Sequence, residues 1–121
     1  MAWLVMRMTL LKGEPVTIYT PTITYDENKD EVVTWTETEL DNVLFGRPST
    51  EQVDETMRLY GVHAQYSLGI PKEYTESLRG CKVYRPRDER TYVIAGDPMP
   101  LPPEICPTPW NREAIAGWVD G

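Results

Sequence analysis

Hydrophobic and polar positions alternate with a period of two over most of this chain, and that period predicts strands. The pattern is clearest from Gly80 to Pro98, GCKVYRPRDERTYVIAGDP. Two β-forming runs, Cys81–Arg85 and Thr91–Ala95, flank Pro86, Arg87, Asp88, Glu89 and Arg90, which predicts a β-hairpin with a polar tip. Alternation sets Cys81, Val83 and Arg85 on one face of the first run, and Tyr92 and Ile94 on one face of the second. Gly96-Asp97-Pro98 ends the ladder, because Pro has no N–H to donate and Gly permits a sharp exit.

Upstream, Pro15–Tyr25 is Thr-rich and β-branched, with Val16 and Ile18 on one face and Ile23 and Tyr25 on the other. Pro21 between them predicts a bulge or an edge strand. Asp26, Glu27, Asn28, Lys29, Asp30 and Glu31 form a polar tip, and Val32–Thr38 returns as a strand, so the whole is a long hairpin with an acidic loop. Leu40–Phe45 reads as a further strand, ended by Gly46-Arg47-Pro48. Ser49 with Gln52 matches a capping box, and Val53, Met57 and Tyr60 fall on one face of a helix over Glu51–Tyr60 that Gly61 stops.

Val62, Ala64, Tyr66 and Leu68 alternate with His63, Gln65 and Ser67, predicting a strand with His63 on its polar face. Pro71–Gly80 connects, with one helical turn expected at Tyr74–Leu78. Pro98, Pro100, Pro102, Pro103, Pro107 and Pro109 predict a stiff extended arm closed by Trp110. Ala114, Ala116 and Trp118 then alternate with Ile115, Gly117 and Val119 as a final strand, with Trp118 expected to plug the core. The fold class expected is mainly β: one domain over residues 1–121, a small β-barrel with a long β-hairpin, one short inserted α-helix and a Pro-rich extended C-terminal arm at residues 98–110.

Composition narrows the function classes. With 121 residues the chain supports one modest core. A formal net charge of -7 argues against a protein that grips nucleic acid, since phosphate binding needs clustered Lys and Arg. Cys81 and Cys106 are expected as reduced thiols. The opening MAWLVMRMTLLKG is apolar but shorter than the roughly 20 residues that span a bilayer, and it lacks a signal-peptide cleavage pattern. Residues 1–10 read as an extension, with Met6 and Met8 as alternative starts, and no membrane partner is expected.

Catalytic constellations are not apparent. The chain has no Gly-rich phosphate loop, nucleophile elbow, CxxC or HExxH pattern. His63 stands alone, and Asp97 reads as a turn-capping carboxylate. The expectation is a non-enzyme with no cofactor and no metal.

The stretches EPVTIYTPTITYDENKDEVVTWTETELDNVLFGRPST, SLRGCKV, TYVIAGDPMPLP and CPTPWN, taken in that order, carry a likeness to a known family. They include an L-x-G-x-x-V step at Leu78–Val83 and a Y-x-I-x-G-D-P step at Tyr92–Pro98. The chain resembles the small head-closure (head-tail connector, or stopper) proteins of long-tailed bacteriophages and prophages, from about Leu11 onward; Met1–Thr9 has no counterpart. The resemblance implies a homo-oligomeric ring, hexameric or dodecameric, in the virion neck, assembled in the host cytoplasm. Such a ring sits between the portal and adaptor proteins and the tail terminator or tail tube, closes the exit channel after packaging, and lets genomic DNA pass without sequence-specific binding. Asp26–Glu31 is then the candidate channel-facing loop, with Gly46–Tyr60 as a second candidate and a solvated turn as the alternative. Pro102, Pro103, Pro107, Pro109, Trp110 and Arg112 are the candidate subunit or partner interface. Another neck or tail protein, such as a tail terminator or completion protein, and a non-viral β-barrel binding module remain as alternatives.

Overall fold

The alternation at Val16 and Ile18 fills the interior as it predicts, and the same logic repeats around a closed barrel. The computed structural model describes residues 13–120. The apolar N-terminal stretch and its alternative starts lie outside the described residues. In chain order the elements are β1 (Glu14–Tyr25), β2 (Glu31–Gly46), α1 (Thr50–Tyr60), β3 (His63–Pro71), β4 (Lys82–Arg85), β5 (Arg90–Ala95), a 3-10 turn (Pro103–Ile105) and β6 (Trp110–Trp118). The strands close in the order β1-β2-β3-β6-β5-β4, every neighbour antiparallel. Closure removes sheet edges wherever a strand is paired on both sides.

Every strand contributes alternate residues to the core: Val16 and Ile18, Val43, Leu68 and Ile70, Val83, Tyr92 and Ile94, and Ala114 with Ala116. Each fully buried Val, Leu or Ile contributes about 1.5–3 kcal/mol by leaving water. Tyr74 and Leu78 are buried with this cluster from the connection between β3 and β4. That connection has no helical turn at Tyr74–Leu78, contrary to expectation. Instead Arg112 donates to the carbonyls of Glu76 (2.8 Å) and Tyr74 (2.6 Å). Asp97 accepts from the Leu78 amide (3.2 Å) and the Ser77 hydroxyl (2.9 Å), the turn-capping role expected of it. With its carbonyls held by a guanidinium, the connection needs no helix to satisfy them.

The segments expected as two strands, Val32–Thr38 and Leu40–Phe45, form the single strand β2. The irregularity falls at its lower end and not at Pro21: a two-residue step in β1, from Glu14 to Val16, opposes a three-residue step in β2, from Val43 to Leu40, and Asn42 takes a left-handed φ of 65°. Pro21 pairs in register with Trp35, and β4 pairs with β1 only over Thr17–Tyr19, so the edge-strand reading describes Pro21.

Ser49 and Gln52 make both bonds of the capping box, and Gly61 ends α1 at φ 67° with its N–H on the Met57 carbonyl. The face carrying Val53, Met57 and Tyr60 is nevertheless exposed, and Thr56 is the residue turned inward. A small side chain there allows close approach to β3, and a Gln52–Glu113 hydrogen bond adds a tie to β6. Tyr60 lies over Gly96, where a Cβ would come within 2.8 Å of its hydroxyl. Trp118, expected in the core, is 48% exposed and stacks on His63 at 5.1 Å. β6 leaves the interior at that point, as its partner His63 opens β3 at the barrel rim.

Candidate functional site

β1 and β2 continue as a two-stranded ribbon well past the barrel. β4 leaves β1 after Tyr19, and β3 joins β2 only at Leu44–Gly46, while β1 and β2 stay paired to Tyr25↔Glu31. The ribbon beyond Tyr19 rises roughly 20 Å at about 3.4 Å per residue. Side chains directly opposite share a face. One face carries the pairs Thr20↔Thr36 and Thr22↔Thr34, with Thr24 opposite Val32, a threonine ladder. The other carries Pro21↔Trp35 and Ile23↔Val33, ending in Tyr25.

That second face is apolar and open to solvent, with Tyr25 70% and Ile23 55% exposed. At its base Lys82 places its ammonium 4.7 Å from the Trp35 ring, beside a recess of about 300 Å³ lined by Tyr19, Trp35, Lys82 and Thr91. Alternation in PVTIYTPTITY shows two faces, but sequence alone does not show that neither is covered.

The expected channel loop sits at the ribbon's end. Asp26 organises the turn: its carboxylate accepts from the amides of Asn28 and Asp30, both at 2.9 Å, and Lys29 adopts φ 63°. Glu27, Lys29, Asp30 and Glu31 are exposed, and among the described residues none of these tip carboxylates is in an ion pair. Charge is segregated with the same geometry. Residues 14–46 hold eight carboxylates against Lys29 alone, so this hairpin carries a net charge equal to the -7 of the whole chain.

The residues expected at a subunit interface divide. Trp110 is 7% exposed and Arg112 5%, both turned into their own chain at the start of β6. The Trp110 indole N–H donates to the Asn42 carbonyl at 2.7 Å, across the β2 irregularity, and Arg112 holds the β3–β4 connection. Neither is free to anchor in a neighbour. The arm is not fully extended either, since the 3-10 turn at Pro103–Ile105 folds it back and Leu101 pairs with Asn111 through both backbone and side-chain bonds. Pro102 and Pro107 are exposed and Pro109 is half-buried, so the arm still presents an outer surface along with Met99, Leu101 and Ile105.

Sequence reasoning missed a charged cluster inside one end of the barrel. Arg85 donates to both carboxylate oxygens of Glu14, at 3.0 and 2.7 Å, and to Asp88 at 3.4 Å. Its guanidinium lies 4.2 Å from the Phe45 ring and 4.8 Å from Tyr66. Tyr92 donates to Asp88 at 2.5 Å. Hydrogen bonding from Arg85 holds the Glu14 carboxyl below the usual carboxylate range, against its burial. Burial, reinforced by the Asp88 bond, raises the Tyr92 phenol above its ordinary value. Arg85 on the same face as Val83 was the available signal, since an Arg alternating into a core needs a carboxylate partner.

Among the described residues no three His, Cys, Asp or Glu side chains gather as a metal site. His63 faces Asp120 at 3.0 Å, while both thiols are buried and free, Cys81 beside Thr20 and Cys106 on the Trp110 carbonyl. No helix among the described residues is long and apolar enough to cross a membrane. No family model and no curated protein matches the chain.

Proposed function

We propose that the chain is a ring-forming structural component of the neck of a long-tailed phage or prophage, a head-closure or stopper protein between the portal and adaptor proteins and the tail. The observation that carries this reading is the concentration of carboxylates on the β1–β2 hairpin, with Asp26, Glu27, Asp30 and Glu31 against Lys29 alone on the ribbon that projects from a closed barrel. Copies set around a channel would superpose these ribbons into one concentrated negative field. Such a field keeps a polyanion from adhering at distances within a Debye length, about 8 Å at physiological ionic strength. The fold offers a rigid body for the ring, the ribbon tip faces the channel, and the outer surface of the arm meets a neighbour.

A second placement of the ribbon has its own support. Ile23, Tyr25, Val33 and Trp35 on one exposed face favour contact with protein, so the ribbon would meet the tail or the adaptor while remaining part of the same neck assembly.

The test is charge reversal of Glu27, Asp30 and Glu31 to Lys, leaving Asp26 to hold the turn. Barrel stability should change by less than about 0.5 kcal/mol, because these side chains contact no core residue. Particles carrying the variant should retain or eject DNA poorly. Normal retention and ejection would remove the tip from the channel, and a neck reconstruction without this chain would overturn the neck reading itself.

A further inference from the structure

Among the described residues, the outer edge of β2 from Glu31 to Val43 has no strand beside it, since β1 covers the opposite edge and β3 begins only at Leu44. Free edges are normally guarded by Lys, Pro, a bulge or brevity. Val32–Thr36 (VVTWT) has none of these, and its composition is that of a strand ready to pair. The neighbouring guards are all acidic. On the face that carries Val33 and Trp35, alternation continues into Glu37 and Glu39.

Charge decides which strand fits. Among the described residues the other strands of a second copy are closed into its barrel, so of these a copy could offer only its own ribbon. Symmetric pairing centred on Thr36 would set Glu31 against Asp41 and join two hairpins that each bear the whole chain's -7. Like charges directly opposite across strands are destabilising. We propose that the β2 edge receives an extended segment of a different protein, whose one face presents apolar β-formers to Val33 and Trp35 and Lys or Arg to Glu37 and Glu39. Backbone hydrogen bonds would hold the segment, and the apolar-then-basic order would set its register. This interaction is independent of where the protein resides.

The probe is a nine-residue peptide in which two Val and two Lys, in that order or reversed, alternate with Thr. It is compared with the same peptide carrying Glu for Lys and with one N-methylated along its backbone, against the full chain. The Lys peptide should bind about tenfold or more tightly than the Glu peptide, protecting from hydrogen exchange those alternate amides of Val32–Leu40 that point away from β1, and N-methylation should abolish binding. In E37K/E39K the preference should reverse, and in E37Q/E39Q it should vanish. Equal binding of Lys and Glu peptides, unaffected binding after N-methylation, or protection elsewhere would overturn the proposal. So would dimers of the full chain with protection at this same edge, which would make a second copy the occupant.

Discussion

Arg85 shows how one residue can tie the barrel's end together. Its side chain is 10% exposed and that of Glu14 19%, so removing one partner leaves a charge largely without water. Glu14→Gln should destabilise the fold by about 2 kcal/mol at neutral pH, read by denaturant unfolding. Because the folded Glu14 carboxyl titrates below its unfolded value, its contribution is present above the unfolded pKa, near 4, and is lost as pH falls through the folded one. The wild-type advantage over Glu14→Gln should therefore shrink in acid. An advantage independent of pH would show that the pair contributes by shape and not by charge. Tyr92 acts in the opposite direction: its raised pKa favours the fold below the unfolded value, near 10, and that contribution declines as pH rises beyond it.

Among the elements, the Pro-rich arm and β6 differ most from expectation, and Trp110 is the reason. An aromatic at the end of a stiff arm is an equally good anchor for a neighbour or for its own barrel, and local pattern does not separate the two. The structure places its indole N–H on the Asn42 carbonyl, where the β2 irregularity frees an acceptor. Trp110→Ala should then cost about 3 kcal/mol of monomer stability, in the range for emptying a buried aromatic site. A loss under about 1 kcal/mol together with weakened association would return Trp110 to an interface. The helix shows the converse: capping was legible to the residue at Ser49, Gln52 and Gly61, because caps are local hydrogen-bond chemistry. The face it buries was not, because the burial of Thr56 depends on how the helix packs against the barrel, where it contacts β3.

For the whole molecule, core and projection are separable. No residue of the ribbon beyond Thr20 belongs to the buried cluster. Replacing residues 22–34 by an Asn-Gly turn, which joins Pro21 to Trp35 across a pair already in register, should therefore lower barrel stability by about 1 kcal/mol or less. The same excision should remove the contacts assigned to the tip and to Ile23, Tyr25 and Val33. If thermal unfolding instead collapses, the ribbon is part of the folding unit and its exposed face is incidental.

Alternation by itself determined that the protein is built of strands, which residues share a face, and where the two hairpins turn, because side-chain direction reverses at every residue of a strand whatever surrounds it. Which faces are covered was decided only by tertiary structure. Val16 with Ile18 and Ile23 with Tyr25 are similar in sequence, yet the barrel closes over one pair and ends before the other. Likewise Arg85 and Arg112 are ordinary surface residues by type, and they are interior here because distant Glu14, Tyr74 and Glu76 arrive to satisfy them. Burial depends on where neighbouring strands stop, and that is a property of the closed sheet.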